Sequence, residues 1–181
     1  MMFGRVNKRP QWLQDNLGLD RRQAARAGAE SRRVLRMETL IFSRWSQVML
    51  HFERALYGNP DQDLSKLWWD LVEKYQALHR PENRSEPDYA SKVHFVTNPV
   101  YYHNYMMGEL FASQVHHALA RQLAVKDVAG FAYTGRQEVG EFLKEKVFAP
   151  GARLPWNDLT RFATGESLAA ADYAQDFVRE N

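Results

Sequence analysis

Helical periodicity is the feature of this sequence that most restricts what the chain can fold into. Between Ser31 and Tyr57 apolar residues recur at steps of three and four, namely Val34, Met37, Ile41, Trp45, Val48, Phe52 and Ala55. This spacing places the apolar side chains on one face of a long amphipathic helix. Gly58 and Pro60 predict its end, because glycine is common just past a helix C-terminus and proline cannot continue a helix.

The same periodicity continues along most of the chain. After a cap at Asp61 or Asp63, it predicts helices at residues 64–78, 88–92, 99–125, 134–147, 156–163 and 167–178. Asn98-Pro99 marks the start of the longest of these, since asparagine caps helices and proline suits the first turn. Only KVHFVT at 92–97 leans towards a β-strand. The sequence therefore predicts an all-α fold, an irregular bundle of roughly six to eight helices.

Composition narrows the functional classes. The chain has 181 residues, of which 45% are hydrophobic and 25% charged, ordinary values for one globular domain. We therefore predict a single helical domain or fragment over residues 1–181, with residues 1–30 as a loosely packed N-terminal segment. The formal charge of +2 is too small to indicate nucleic-acid binding by itself. With no cysteine, disulfides, Cys-based zinc sites and a cysteine nucleophile are excluded.

The sequence indicates neither membrane attachment nor secretion. No apolar run approaches the ~20 residues that span a bilayer. The first residues, MMFGRVNKRPQWLQDNL, lack the apolar core of a signal peptide. We expect a soluble protein without membrane contact, and the residues assign it no compartment.

Two conspicuous groups of side chains have ordinary explanations. The six histidines form no H-E-x-x-H motif, and His116 and His117 point about 100° apart on a helix, a poor geometry for two metal ligands. We therefore predict no metal ligand in this chain. Residues 20–36 contain six arginines and two acids without interleaved aromatics, which is typical of a solvated helix face. Binding of RNA or an acidic partner by these arginines is the alternative.

The chemically densest stretch is KVHFVTNPVYYHNYMMGEL, residues 92–110. On a helix, Tyr102, Tyr105 and Glu109 would share one face, with Lys92 and His94 just before the helix. Two phenols, an imidazole and an ammonium could then converge. A tyrosine hydroxyl can donate to a developing oxyanion, and a lysine with a tyrosine can hold a carboxylate. A buried edge of tyrosines with satisfied hydroxyls is the competing interpretation.

Four motifs occur in an order that resembles a known family. They are LWWDLVEKYQAL at 67–78, SKVHF at 91–95, YHNY at 102–105 and PWNDLTRFATGESLAAADY at 155–173. They are similar to the Trp-Trp helix, the Lys-x-His segment, the Tyr-x-x-Tyr pair and the closing Pro-Trp…Thr-Gly segment of the angiotensin-converting-enzyme-like peptidyl-dipeptidases, which are helical zinc metallopeptidases. The resemblance runs from about residue 40 to about residue 178. Thimet-type oligopeptidases share a tyrosine motif like YYHNY but match the Trp-Trp segment less well.

Carried over residue by residue, the resemblance implies a role for four side chains. Tyr105 would donate to the oxyanion of the tetrahedral intermediate opposite zinc. His94 would hydrogen-bond the substrate backbone beside the scissile bond. Lys92 and Tyr102 would bind the C-terminal carboxylate of a peptide substrate, which is how such an enzyme measures a dipeptide from the chain end.

This chain departs from the family pattern in three ways. The spacing from His94 to Tyr105 is one residue longer. Tyr101 is therefore an alternative to Tyr102, with Asn104 then at the oxyanion position. The arginines that the family uses around chloride have no evident counterpart. The H-E-x-x-H motif and the third zinc ligand, a glutamate, lie N-terminal to the matched region in the family and are missing here.

The resemblance thus implies the C-terminal part of a zinc-dependent dipeptidyl carboxypeptidase or oligopeptidase, whose zinc is bound by the parent protein and not by this chain. We expect the chain alone to be inactive and to need the missing N-terminal part of the same protein. We also expect it to self-associate through the apolar surface that this part would cover. A truncated relic that binds peptides or a partner is the alternative function. A helical RNA- or partner-binding protein that uses the arginines of 20–36 is the third.

Overall fold

The computed structural model describes residues 7–177. These residues form eight α-helices and no strand. The helices are α1 (Pro10–Leu17), α2 (Arg21–Gly58), α3 (Leu64–Gln76), α4 (His94–Thr97), α5 (His103–Gln122), α6 (Gln137–Leu143), α7 (Trp156–Thr164) and α8 (Ala171–Gln175). Turns of 3-10 helix lie at Asp88–Ser91 and Gly151–Arg153, and a π-helical turn lies at Lys144–Phe148. The all-α prediction is confirmed, and most of KVHFVT lies in α4.

The chain divides into two compact units. The central unit is Met37–Met107, and the terminal unit combines Met1–Arg36 with Gly108–Asn181. Helices α2 and α5 each contribute residues to both units. Within the described range, every helix is too short or too polar to cross a lipid bilayer. The extent of the single domain and the loose packing of residues 1–30 stay predictions.

Helix α2 begins at Arg21 rather than at Ser31, where the apolar stripe predicts its start. Asp20 and Gln23 form a reciprocal capping box. The Gln23 N–H donates to the Asp20 carboxylate at 2.8 Å, and the Asp20 N–H donates to the Gln23 side chain at 3.1 Å. The first ten residues of the helix are mostly alanine and arginine, strong helix formers without an apolar stripe. The apolar periodicity alone therefore does not predict that these ten residues are helical.

Helices α2 and α3 form the core of the central unit. Its buried apolar side chains are Val48, Met49, Phe52, Trp68 and Val72. The rings of Phe52 and Trp68 meet edge to face at 5.2 Å, and burying one such side chain stabilises the fold by about 1.5–3 kcal/mol. Of the two predicted caps, Asp63 caps α3, because its carboxylate accepts the Lys66 N–H at 2.9 Å. The helix ends slightly earlier than predicted, since Ala77 adopts the left-handed conformation.

The last two thirds of α5 form the centre of the terminal unit. Every residue from Ala112 to Ala120 is buried. The apolar core there consists of Val115, Leu119, Ala120, Phe131, Tyr133, Val139, Phe142 and Leu143. The polar side chains within this stretch are buried as well, and each must find hydrogen-bond partners.

Gln114 shows how the terminal unit meets that requirement. Its amide donates to the Thr164 hydroxyl at 3.0 Å and to the Ser167 carbonyl at 3.1 Å. Its side-chain oxygen accepts the Ala169 N–H at 3.1 Å. The segment after α7 is tied to α5 in this way, so α8 is the short Ala171–Gln175 instead of the predicted 167–178, whose last residue lies outside the described range.

The helix predicted from Asn98-Pro99 begins instead at His103. Asn98 ends α4, and Val100 has a φ of +54°, in the left-handed region that a helix cannot pass through. Residues 98–102 therefore form a turn. Tyr102 lies in this turn, one position before α5, so only Tyr105 and Glu109 of the three predicted residues are on the helix itself.

Candidate functional site

The four side chains singled out by the sequence lie in the central unit. Lys92 follows the 3-10 turn Asp88–Ser91, and His94 begins α4. Tyr102 lies in the turn before α5, and Tyr105 lies in the first turn of that helix. The site is thus built on short elements joined by turns, which need the core of the unit to hold them in place.

Phe95 supplies that anchor for α4. Its ring lies 5.0 Å from the ring of Phe52 and 6.4 Å from that of Trp68. A helix of four residues is not stable by itself, so these aromatic contacts fix its position. His94, the preceding residue, is held in place by the same contacts.

Three of the four side chains meet ring to ring. The imidazole of His94 lies 4.9 Å from the ring of Tyr102 and 6.1 Å from that of Tyr105, in both cases edge to face. The two tyrosine rings are 5.1 Å apart. Although Tyr102 is not helical, the turn thus brings both phenols beside the imidazole.

Trp45 of α2 supports Tyr102. The indole N–H of Trp45 lies near the phenol oxygen of Tyr102. Burial raises the pKa of Tyr102 above the ordinary phenol value, and the nearby indole N–H partly offsets the rise. The hydroxyl therefore stays protonated at neutral pH and can donate to an acceptor.

The ammonium of Lys92 lies against the same indole. Its Nζ is 5.3 Å from the ring of Trp45 and 5.9 Å from the ring of Trp68, both within range of cation–π attraction. Trp45 thus contacts Lys92 through its face and Tyr102 through its N–H. The sequence pattern had placed Trp45 in the core stripe of α2, and its spacing gives no sign of this second role.

Two further aromatic residues complete the cluster. The ring of Phe42 lies 6.5 Å from that of Tyr102 and 6.4 Å from that of Tyr105. Tyr101, the alternative to Tyr102, is 46% exposed and meets Tyr105 edge to face at 5.6 Å. Asn104 is exposed. Both Tyr101 and Tyr102 therefore adjoin Tyr105, and Tyr102 also lies near the indole N–H of Trp45.

The cluster offers polar groups to a ligand. Across residues 7–177, no hydrogen bond engages the imidazole of His94, which is half-buried. Its nitrogens can therefore bond a ligand without first breaking an internal contact. Metal ligands are a different matter, since the same residues contain no group of three or more His, Cys, Asp or Glu side chains that could hold a metal ion.

The model of the angiotensin-converting enzyme family (Peptidase_M2) matches residues 56–177, about two thirds of the chain. The matched range includes Lys92, His94, Tyr102 and Tyr105, whereas Trp45 lies outside it. No curated protein and no solved structure matches the chain. The chain belongs to the angiotensin-converting enzyme family, as its motifs predicted.

Proposed function

We propose that this member of the angiotensin-converting enzyme family forms the substrate-binding wall of a dipeptidyl carboxypeptidase, as the C-terminal part of that zinc peptidase. The observation that supports the proposal is the cluster itself. The rings of His94, Tyr102 and Tyr105 lie within 4.9–6.1 Å of one another. The ammonium of Lys92 lies over the indole of Trp45, whose N–H is near the phenol of Tyr102.

In this proposal Lys92 and Tyr102 bind the C-terminal carboxylate of a peptide. An ammonium and a protonated phenol are a suitable pair of donors, because charge-assisted hydrogen bonds to a carboxylate are the strong ones. The contact of both side chains with Trp45 limits their freedom before a ligand arrives. A pre-ordered pair loses less conformational entropy when it binds.

In this proposal Tyr105 and His94 act at the scissile bond, further from the C-terminus of the peptide than the carboxylate site. The Tyr105 hydroxyl would donate to the oxyanion that forms when the scissile carbonyl is attacked. His94 would hydrogen-bond the substrate backbone beside it. Their rings are 6.1 Å apart, so the two groups can reach adjacent atoms of one extended peptide.

The described residues do not fit a zinc site, because they contain no suitable group of ligands. We derive no metal-dependent step from them. Zinc and the general base belong, in our proposal, to the missing N-terminal part of the parent protein, which is also the partner of this chain. The isolated chain is expected not to cleave peptides. Stoichiometric catalytic zinc with peptidase activity in the purified 181-residue protein would contradict this.

Peptide binding tests the proposed carboxylate site. A fluorescent peptide with a free C-terminal carboxylate should bind the chain about tenfold more tightly than its C-terminal amide. Lys92→Ala should remove this preference. Lys74→Ala is the matched control, since its ammonium also lies over an aromatic ring, that of Tyr75 at 5.1 Å, outside the cluster.

Equal binding of the free and the amidated peptide by the unaltered chain would reject the carboxylate site. Loss of the preference in Lys74→Ala as well would show that general charge, not this cluster, attracts the peptide.

A truncated relic that binds peptides without any catalytic partner is the second candidate. Its support is the set of donor side chains in the cluster, which can bind a carboxylate without a metal. The gene decides between the two. An upstream reading frame that encodes H-E-x-x-H and a downstream glutamate supports the peptidase, and a native start codon with its own ribosome-binding signal supports the relic.

A further inference from the structure

The residues of the cluster lie on both sides of the turn at residues 98–102, and the buried carboxylate of Glu53 on α2 holds that turn. Glu53 is 6% exposed, and its Oε1 accepts a hydrogen bond from the Val100 N–H at 2.6 Å. The two residues are 47 positions apart. This contact therefore ties the turn at residues 98–102 to the long helix of the central unit.

Val100 has a conformation that needs such support. Its φ is +54°, which is rare for a β-branched residue because its side chain crowds the backbone there. The residue is 62% exposed, so its side chain gains little from packing. A strained conformation persists only where the surroundings hold it, and the hydrogen bond to Glu53 is the contact that does so here.

The turn controls how the rings of the cluster face one another. His94 lies before it on α4, and Tyr102 and Tyr105 lie after it. A change of φ at Val100 to the extended or right-handed region would swing the chain after it. The separations of 4.9 Å and 6.1 Å from the imidazole to the two phenol rings would then be lost.

We propose that Glu53 is a positioning residue. By holding the Val100 N–H, it keeps the turn in the left-handed conformation that sets His94 against Tyr102 and Tyr105. The benefit of this positioning for substrate binding rests on the proposed function. The positioning of the turn by Glu53 does not depend on that function, and it can be tested without substrate.

Nuclear magnetic resonance of three variants tests the geometry. Glu53→Met keeps an unbranched side chain of similar length and removes the acceptor. It should abolish the strong intraresidue amide–Hα NOE that marks positive φ at Val100, together with the ring-current shift of the His94 imidazole protons. Glu53→Gln keeps an acceptor oxygen and should retain both signals. The double variant Glu53→Met/Val100→Gly should regain the His94 shift, because glycine adopts positive φ without support.

Ser46→Ala is the matched control for loss of a buried polar group. Ser46 also lies on α2 and is buried, but its hydroxyl bonds the Phe42 carbonyl of the same helix at 3.0 Å. Both signals should survive this change. The proposal is wrong if Glu53→Met retains both signals, or if the added glycine fails to restore the His94 shift.

Hydrogen exchange in the unaltered chain gives a test that does not depend on any variant folding. The Val100 amide should exchange at least about tenfold more slowly than an unprotected amide, since Glu53 accepts its proton. Exchange at the unprotected rate would overturn the proposal.

Peptide binding separates this inference from the proposed function. A peptide with a free C-terminal carboxylate should bind Glu53→Met about tenfold more weakly than the unaltered chain, with recovery in the double variant. If the unaltered chain binds no such peptide while the signals respond as expected, the proposed function fails and the positioning role stands. If Glu53→Met binds the peptide fully and keeps both signals, the positioning role fails and the proposed function stands.

Discussion

The two units each pair a histidine with a tyrosine, and they use the pair differently. In the terminal unit His116 is buried, its Nδ1 lies 2.6 Å from the Tyr133 hydroxyl, and its Nε2 lies 3.0 Å from the Val128 carbonyl. In the central unit the half-buried His94 meets Tyr102 only ring to ring, at 4.9 Å. Both nitrogens of the first imidazole have partners in the fold.

This difference separates His116, which serves the fold, from His94, which we propose binds substrate. Burial lowers the pKa of His116 to about 4, so this imidazole stays neutral and serves only its two hydrogen bonds. A group with every bond satisfied has none left for a ligand. His94 keeps such capacity, as the proposed substrate-binding wall requires.

The largest effect is expected in the terminal unit, from a substitution that removes a buried polar side chain whose hydrogen bonds are all formed. Gln114→Leu should lower the free energy of unfolding by about 2–3 kcal/mol, because it removes the partner of the Ala169 N–H and of the Ser167 carbonyl, while the Thr164 hydroxyl keeps its bond to the Thr160 carbonyl. Urea unfolding followed by circular dichroism measures it. Gln62→Leu is the control, since this partly exposed amide bonds carbonyls next to a surface loop and should cost about 1 kcal/mol.

A pH series should show the cost of charging His116. Its folded pKa of about 4 lies below the ordinary 6.5, so the unfolded chain takes up a proton first as the pH falls. Stability is therefore full above about pH 6.5 and decreases towards about pH 4. Between about pH 7 and about pH 5 the unaltered chain should lose about 2 kcal/mol more than His116→Gln. Parallel unfolding curves for the two proteins would contradict the neutral, buried state of His116.

A smaller effect is expected at Tyr102. Tyr102→Phe removes the phenol hydroxyl near the indole N–H of Trp45 and should cost about 1 kcal/mol in urea unfolding. Because burial raises the pKa of Tyr102, the unfolded chain ionises first as the pH rises. The unaltered chain should therefore lose stability above about pH 10, and Tyr102→Phe should lack this loss. Tyr101→Phe is the control, and an equal alkaline loss in both variants would mean that Tyr102 is not the buried phenol.

The smallest effect concerns exposed apolar residues of α2 in the central unit. Met37, Leu40 and Ile41 are exposed on this helix. Ile41→Gln should leave stability within about 0.5 kcal/mol and reduce self-association in light scattering at high concentration. A clean monomer in the unaltered chain at every concentration would reject the predicted self-association.

Much of the fold could be predicted because its signals are local. The apolar steps of α2 and α3, the cap at Asp63 and the stops near Gly58 each depend on neighbours within one or two helical turns. The start of α5 could not be predicted that way. Asn98-Pro99 is a good local start signal, and the long-range hydrogen bond at Val100 overrides it.

The sequence by itself determined the all-α class, the family and the candidate residues Lys92, His94, Tyr102 and Tyr105, since these follow from residue types and their spacing. Only the tertiary structure decided that Trp45 contacts both Lys92 and Tyr102. It alone placed Glu53 beneath the turn. The physical reason is distance along the chain. A contact across 47 positions leaves no periodic trace, because packing and hydrogen bonding in three dimensions, not local spacing, decide which side chains meet.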